Sequence, residues 1–235
     1  SQAAGTVTSA ADTSGDIAAP CATPASDKTD SYGWTAQDPE SSGYLNPAVI
    51  ARVEALAPRS VLDAGCGNGS LAAALAARGF AVTGVDGDAG GIALAQARGS
   101  AAAFAVCDFA RPLEGQGIGD PGSFDLVVST EVVEHLYDPR CLARFCFEAL
   151  RPGGALIVTT PYHGYLKNLA LSLAGKWDHH HNPLWHGGHI KFWSRATLGR
   201  LLEDAGFALG EFAGVGRLPW LWKSMLLVAR KPGAA

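Results

Sequence analysis

Apolar residues along the chain recur in two alternating patterns, which predicts alternating strands and helices from about residue 45 onward. Short continuous apolar runs are typical of strands that are buried on both faces of a sheet, and longer runs with a helical period separate them. The strand-like runs lie at 60–63, 80–85, 101–106, 124–129 and 155–159, and the helix-like runs at 45–56, 71–78, 90–98 and 139–150. This order predicts a parallel sheet covered by helices on both faces.

The C-terminal part of the chain departs from this alternation. A helical pattern at 194–205 is followed by two strand-like runs at 207–212 and 222–230, with no helix between them. Consecutive strands without a helical crossover pair antiparallel, so we expect a hairpin at the edge of the sheet. The predicted fold is therefore α/β: a seven-stranded, mostly parallel sheet with a C-terminal antiparallel hairpin and helices on both faces.

Residues 1–30 differ in composition from the rest of the chain. They are mostly small or polar and include no aromatic residue, whereas aromatic residues become frequent from Tyr32 onward. Such a segment buries too little apolar surface to offset its ordering entropy. We therefore predict a flexible low-complexity tail over 1–30 and a single domain over 31–235.

Composition and charge narrow the class of protein. The chain is 48% hydrophobic and 17% charged, which excludes an intrinsically disordered protein, and its net charge of −4 lacks the basic excess of a general nucleic-acid binder. No apolar stretch approaches the roughly 20 residues that span a bilayer. The five cysteines are scattered and form no Cys-x-x-Cys pair, so they indicate neither a zinc site nor a disulfide framework. We expect a reducing, cytoplasmic location.

A glycine-rich turn, Asp63-Ala-Gly-Cys-Gly-Asn-Gly69, follows the first predicted strand and opens the next helix. Glycines at this place let the backbone turn tightly and approach a ligand without a Cβ in the way. Asp86 ends the next strand, 21 residues beyond Gly65, where a carboxylate can accept hydrogen bonds from ribose hydroxyls. The combination predicts a nucleoside ligand rather than a purely structural turn. A nicotinamide cofactor normally uses Gly-x-Gly-x-x-Gly, and here the third glycine comes one residue early.

The segment 61–69 resembles the signature of the class I S-adenosylmethionine-dependent methyltransferases, a strand that ends Val-Leu-Asp-x-Gly-x-Gly-x-Gly. The resemblance covers about residues 44–230 and continues through the segments 82–86, 124–127, 134–136 and 150–154. It implies a Rossmann-like fold, S-adenosylmethionine as the cofactor and S-adenosylhomocysteine as the product.

The resemblance also implies which residues bind the cofactor. Gly65 and Gly67 match the glycines beneath the methionine part, and Asp86 matches the acid that binds the ribose. Asp108 matches the residue that accepts a hydrogen bond from the adenine amino group. The full predicted cofactor set is Tyr44, Asp63, Gly65, Cys66, Gly67, Asp86, Gly87, Asp108, Phe109, Ser129 and Thr130.

Two carboxylates and a histidine follow the fourth strand. Glu131, Glu134 and His135 are spaced i, i+3, i+4, which places them on one face if the segment is helical. Such a group can hold a divalent cation, which lowers the pKa of a phenol. The segment 129–135 also resembles the ubiquinone-biosynthesis O-methyltransferases, a subgroup in which a metal is thought to sit at these positions. The alternative interpretation is a helix-start motif in which His135 makes a structural hydrogen bond.

All seven histidines lie between residues 135 and 189, in the segment that roofs the substrate pocket of such a fold, and we predict a substrate-capping lid around 161–193. His163 directly follows the fifth strand and is either a general base or a capping residue of a lid helix. His189 ranks first as a base, because adjacent glycines let the backbone pass close to a ligand and nearby tryptophans offer aromatic surface. The predicted catalytic residues are His189, His163 and His135.

The predicted activity is methyl transfer from S-adenosylmethionine to a small molecule, most simply to the hydroxyl of a phenol or a related compound. Methylation of nitrogen, sulfur or carbon is the alternative within this class, and a non-catalytic cofactor-binding module is the alternative outside it. No nucleic-acid substrate is expected, because 129–132 lacks the Asn/Asp-Pro-Pro-Tyr/Phe strand end of enzymes that methylate exocyclic amines. Membrane contact is not expected, and the sequence leaves the oligomeric state open.

Overall fold

The computed structural model describes residues 32–181, 184 and 188–233, so the predicted tail over 1–30 lies outside the described residues. The strands are β1 (Ser60–Ala64), β2 (Ala81–Asp86), β3 (Ala103–Val106), β4 (Phe124–Thr130), β5 (Leu150–Pro161), β6 (Ala208–Val215) and β7 (Ser224–Arg230). The helices are α1 (Ser42–Leu56), α2 (Ser70–Ala76), α3 (Ala89–Ala97), α4 (Pro139–Ala149), α5 (Tyr165–Leu173), α6 (Trp177–His180) and α7 (Arg195–Asp204).

The strands form one seven-stranded sheet in the order β3-β2-β1-β4-β5-β7-β6. The pairs from β3 through β5 are parallel, and β7 runs antiparallel to both of its neighbours, β5 and β6. The predicted α/β fold with a C-terminal antiparallel hairpin is therefore confirmed. The strand order reverses between β1 and β4, and ligands of open α/β sheets bind at the carboxyl ends of the strands beside such a reversal.

The core lies on both faces of this sheet, because alternate residues of each central strand point in opposite directions. Val61 packs with residues of α1 and α2, among them Val49 and Leu75. Leu62 faces the other way and belongs to the cluster that contains Phe145 of α4. Two buried faces explain why the central strands are continuously apolar.

The fifth strand is longer than the sequence pattern predicts. The segment 151–154, which lies between the predicted helix and the predicted strand, belongs to β5, and the register with β4 shifts between Phe124 and Leu126. The backbone N–H of Gly153 donates to Lys231 O, and the N–H of Lys231 donates to Gly154 O, each at 2.9 Å. Pairing with Lys231 thus extends the strand through Gly153 and Gly154.

Helix α5, in the predicted lid, buries a charged side chain and exposes apolar ones. Lys167 is only 4% exposed and its Nζ donates to Lys223 O at 3.1 Å, while Tyr165, Leu166 and Leu173 are exposed. Burial lowers the pKa of Lys167 to about 8. None of the helices in the described ranges combines the length and apolar composition needed to cross a bilayer.

The cysteines differ in part from the sequence-based expectation. Cys66, Cys107 and Cys146 are free and buried, and burial raises the pKa of each thiol. Cys141 is disulfide-bonded, which the scattered spacing of the cysteines did not indicate.

Candidate active site

A cavity of about 1640 Å³ opens at the carboxyl ends of β1 to β4. Most of the residues predicted to bind the cofactor line it, namely Tyr44, Asp63, Gly65, Cys66, Asp86, Gly87, Asp108, Phe109 and Thr130. The predicted catalytic residues His135, His163 and His189 line it as well. The fold therefore brings the two predicted sets of residues to one cavity.

Asp86 holds the glycine loop and also faces the cavity. Its Oδ2 accepts a hydrogen bond from Gly67 N and its Oδ1 accepts one from Asp88 N, both at 2.8 Å. Burial raises the pKa of this carboxyl. The backbone N–H groups of Gly65 and Cys66 both donate to Val85 O, which joins the loop to the end of β2. The residue predicted to bind the ribose and the glycine loop thus form one hydrogen-bonded unit.

The glycines of this loop are required by packing inside the protein as well as by their backbone angles. Gly65 and Gly67 have φ of +87° and +52°, in the left-handed region that favours glycine. A Cβ on Gly65 would overlap the side chain of Val132, and one on Gly67 would overlap the ring of Trp34. Gly67 is therefore covered by Trp34, whereas the sequence pattern suggested that a ligand lies against this glycine.

The structure also shows what holds two more residues that were predicted to bind the cofactor, Ser129 and Asp108. Ser129 is buried and its Oγ donates to Ala64 O at 2.8 Å, so its side chain joins β4 to β1 instead of lining the cavity. Asp108 is held by Gln116, whose Nε2 donates to Asp108 O at 3.1 Å and whose Oε1 accepts from Asp108 N at 3.0 Å. Sequence reasoning did not single out Gln116, because a lone glutamine in a loop gives no pattern.

The carboxyl of Asp63 is buried beneath the glycine loop. Burial and the negative charge of Asp86 raise its pKa to about 7, against an opposing hydrogen bond from the Ala72 backbone. The unfolded chain ionises this group near its ordinary pKa of 3.8, so the native state holds a proton that the unfolded state has already lost. The stabilising contribution of that proton is present at low pH and is lost as the pH rises through about 7.

We therefore expect Asp63→Asn to change how the melting temperature depends on pH. The amide does not ionise, so the melting temperature of the variant relative to wild type should rise by about 5 °C between pH 5.5 and pH 8. Thermal unfolding followed by circular dichroism measures this difference. The exposed Asp120→Asn should keep a constant offset, and a constant offset for Asp63→Asn would show that Asp63 is ionised throughout.

The predicted helical arrangement of Glu131, Glu134 and His135 is wrong. Glu131 has φ of +54°, and only a single 3-10 turn follows, over Val133–His135. The group of potential metal ligands at this place does not include Glu131. Its carboxylate accepts hydrogen bonds from Thr159 Oγ1 at 3.0 Å and Ser224 Oγ at 3.2 Å, and burial raises its pKa.

A different cluster forms from Glu134, His135 and His189, whose potential ligand atoms all lie within 4.8 Å of one another. Glu134 is 1% exposed, and its Oε2 accepts from Thr160 Oγ1 at 2.9 Å. Its Oε1 has no hydrogen-bond partner among the described residues and lies 3.9 Å from His135 Nε2. Burial, followed by the charge of Glu131, raises the pKa of Glu134 well above its usual range.

The imidazole of His135 is oriented from both sides. Its Nδ1 lies 3.3 Å from Gly188 O, and because a carbonyl only accepts, this nitrogen carries a proton. Its Nε2 lies 3.2 Å from the hydroxyl of Tyr32, and its ring contacts that of His189 with the centroids 4.9 Å apart. The remaining nitrogen of His135 is thereby directed toward Tyr32 and Glu134.

His163 stands apart from this cluster. It is buried, its Nδ1 lies 3.4 Å from Asn168 Oδ1, and its ring packs against Phe192. Trp193 belongs to the core, so of the tryptophans expected near the substrate one is structural and the other, Trp185, lies outside the described residues.

Sequence reasoning missed several cavity residues, among them Tyr32, Trp34, Lys223 and Ser224. Ser224 Oγ lies 3.0 Å from Tyr44 Oη and donates to Glu131, so it links α1 to the segment after β4. In the sequence, Tyr32 and Trp34 served only to mark the start of the domain. Their aromatic side chains, next to a tail without any, were the available signal.

The fold and the cavity define a class I S-adenosylmethionine-dependent methyltransferase. The family model described as a methyltransferase domain matches residues 42–211, and the chain belongs to that family. It is an enzyme of this class with S-adenosylmethionine as its cofactor, as the resemblance implied.

Several proteins of known name are similar to this chain in sequence or in fold. The chain is 32% identical over 195 residues to the ubiquinone biosynthesis O-methyltransferase of Chromobacterium violaceum, covering 80% of this chain and 83% of the relative. It is 31% identical over 201 residues to the protein of the same name from Xanthomonas euvesicatoria, with 80% of each chain covered. The solved structure of magnesium protoporphyrin IX methyltransferase from Synechocystis, with bound S-adenosylhomocysteine, has the same fold, with a TM-score of 0.61 at 21% identity, covering 80% of this chain and 82% of that one.

Proposed function

We propose that the protein transfers the methyl group of S-adenosylmethionine to a hydroxyl oxygen of a small phenol or a related compound. The cluster of Glu134, His135 and His189 beside the cofactor cavity carries the proposal, because it supplies the proton acceptor that an oxygen nucleophile requires. The names of the relatives support oxygen as the acceptor atom.

The cofactor is held by the residues at the strand ends in this proposal. Asp86 accepts hydrogen bonds from the ribose hydroxyls, Asp108 accepts from the adenine amino group, and the backbone near Gly65 and Thr130 faces the methionine part. All four residues line the cavity, in positions that the resemblance assigns to these groups.

The reaction is an in-line displacement at the methyl carbon. A lone pair of the acceptor oxygen forms the new C–O bond, the C–S bond breaks with its electrons returning to sulfur, and the hydroxyl proton passes to an imidazole. His189 receives this proton in our proposal, since it lines the cavity next to His135. The main contribution of the protein is to hold oxygen, carbon and sulfur in line. His163, on a separate wall of the cavity, is the second candidate for the base.

A divalent cation is a further candidate component of the site. One carboxylate and two imidazoles suit a transition metal, and the unpartnered Oε1 of buried Glu134 fits such a role. Glu134, His135 and His189 would hold the ion, in place of the predicted Glu131. When bound, a cation lowers the pKa of a coordinated phenol. The alternative, a metal-free hydrogen-bonded cluster, has the same residues move the proton.

The proposal is tested with methyl-labelled S-adenosylmethionine and a panel of phenols, catechols, amines and thiols. We expect label in the ether product of at least one phenol or catechol, and none in amines or thiols. A chelator followed by added Mg²⁺ or Zn²⁺ separates the metal-dependent reaction from the metal-free one. Label that enters only amines or thiols would move the assignment to N- or S-methylation. The cytoplasmic location stays a prediction.

A further inference from the structure

The segment 32–38, here called the strap, lies across the glycine loop. The indole of Trp34 rests on Gly67, where a Cβ would overlap its ring, and on Gly91 of α3, where a Cβ would stand 2.8 Å from Trp34 Cδ1. Two glycines from separate elements therefore form a slot that fits this one side chain. Gly91 has no positive φ, so packing rather than backbone conformation explains its lack of a side chain.

The glycine motif itself holds the strap. Asn68, between the second and third glycines of the motif, is 1% exposed. Its Nδ2 donates to Thr35 O at 2.9 Å and to Gln37 O at 2.8 Å, so both amide hydrogens bind strap carbonyls. The polar side chain of the cofactor loop is thus used to bind the strap rather than a ligand.

The two residues that cap α3, Asp88 at its start and Arg98 at its end, hold the two ends of the strap. At one end, Tyr32 N donates to Asp88 Oδ2 at 2.7 Å, and Asp88 also caps α3. At the other end, Arg98 Nη2 pairs with Asp38 Oδ1 at 2.7 Å, while Arg98 Nε donates to Asn68 O at 2.6 Å. The strap, the glycine loop and both ends of α3 form one connected network.

We propose that the strap is a fixed wall of the cofactor site, anchored by Trp34, and that the glycine loop binds the cofactor tightly only while Trp34 occupies its slot. The opposite arrangement, in which Trp34 blocks the cofactor, is disfavoured by the space that remains. With the strap in place, the cavity measures about 1640 Å³, more than the about 1,000 Å³ at the upper end of small-molecule sites. Tyr32 and Trp34 line this space together with Asp86.

The strap also connects the glycine loop to the proposed catalytic cluster, which consists of Glu134, His135 and His189. The ring of Tyr32 stacks on that of Trp34, with centroids 5.0 Å apart, and its hydroxyl lies 3.2 Å from His135 Nε2. Seating Trp34 therefore places the hydroxyl that orients His135. The inference rests on the methyltransferase class and is independent of which acceptor is methylated.

The test is calorimetric titration of the full chain with S-adenosylhomocysteine. We expect Trp34→Ala to weaken binding by at least about 10-fold, because the loop loses the surface that fixes its shape. Trp220→Ala removes an indole that is 59% exposed and does not line the cavity, and it should stay within about twofold of wild type. Unchanged or tighter binding by Trp34→Ala would overturn the proposal, the latter in favour of a blocking strap.

A second pair of variants leaves the strap sequence intact. Gly91→Ala places a methyl group against Trp34 and should weaken binding by a similar factor, whereas the exposed neighbour Gly90→Ala should not. Both gain helix propensity, and the melting temperatures of the two variants show whether the overlap at Gly91 also destabilises the fold. Adding Gly91→Ala to Trp34→Ala should cost less than Gly91→Ala alone, and what remains reports the contact of the new methyl group with the backbone oxygen of Gly67 at 3.1 Å. Full additivity of the two losses would contradict the slot.

Discussion

Replacing Asp86 with alanine is expected to weaken the binding of S-adenosylhomocysteine by at least about 100-fold. The substitution removes the proposed partner of both ribose hydroxyls, and hydrogen bonds to a charged group each contribute about 1.5–3 kcal/mol. It also frees Gly67 N and Asp88 N, which the carboxylate holds at 2.8 Å, so the loop loses one of its hydrogen bonds to the end of β2. Calorimetric titration measures the loss directly.

Asp86→Asn separates these two contributions. The amide keeps one oxygen as an acceptor and places a donor against a backbone N–H, so we expect an intermediate loss of about 10-fold or more. Asp120→Ala removes an exposed carboxylate outside the cavity and serves as the control. Retention of wild-type affinity by Asp86→Ala would mean that the cavity beside the glycine loop is not the nucleoside site.

The strand ends were predictable from the sequence because two constraints coincide there. A strand covered on both faces must be apolar along its length, and the first polar residue after it marks the edge of the sheet. Asp63, Asp86 and Asp108 satisfy this pattern, and all three line one cavity. The acid that ends β2 lies beside the glycine loop after β1, because β1 and β2 are parallel neighbours.

The arrangement after β4 was not predictable from spacing, because spacing assumes a conformation. A helix would have placed Glu131 beside Glu134, but the backbone of Glu131 is left-handed and its side chain bonds to β5 and β7 instead. Those partners are distant in sequence, and no local pattern indicates them. The inclusion of 151–154 in β5 has the same origin, since the pairing partner is Lys231.

The strap shows a related limit of sequence reasoning. The glycines at 67 and 91 are compatible with a ligand, a tight turn or a neighbouring aromatic side chain, and the sequence does not distinguish these. In the structure Trp34 packs against both glycines, and Gly67 also has a positive φ. His189 could be proposed from the sequence because the histidines cluster after β5. Its proximity to Glu134 and His135 could not, because it depends on how the segment 188–193 folds back over the turn after β4. There Ile190 N and Lys191 N donate to Glu134 O.

Replacing His189 with alanine should reduce turnover of the phenolic acceptor by at least about 100-fold while leaving the affinity for S-adenosylhomocysteine within about twofold. A general base contributes about 10²- to 10⁴-fold, and His189 lies at the catalytic cluster rather than at the glycine loop. Single-turnover rates with labelled cofactor measure the chemical step, and His163→Ala is the matched comparison. Wild-type turnover in His189→Ala together with a large loss in His163→Ala would reassign the base to His163, which also lines the cavity.

Added imidazole distinguishes the two chemical roles of His189. If the side chain only accepts the proton, free imidazole in the emptied space should restore part of the rate in a manner that follows the fraction of unprotonated imidazole, with no dependence on a chelator. If it instead helps to hold a cation with Glu134 and His135, the lost rate should return with excess Zn²⁺ or Mg²⁺ and fall again with a chelator. Because Glu134→Gln replaces a carboxylate ligand but leaves the proposed proton acceptor His189 in place, it should match His189→Ala only in the second case.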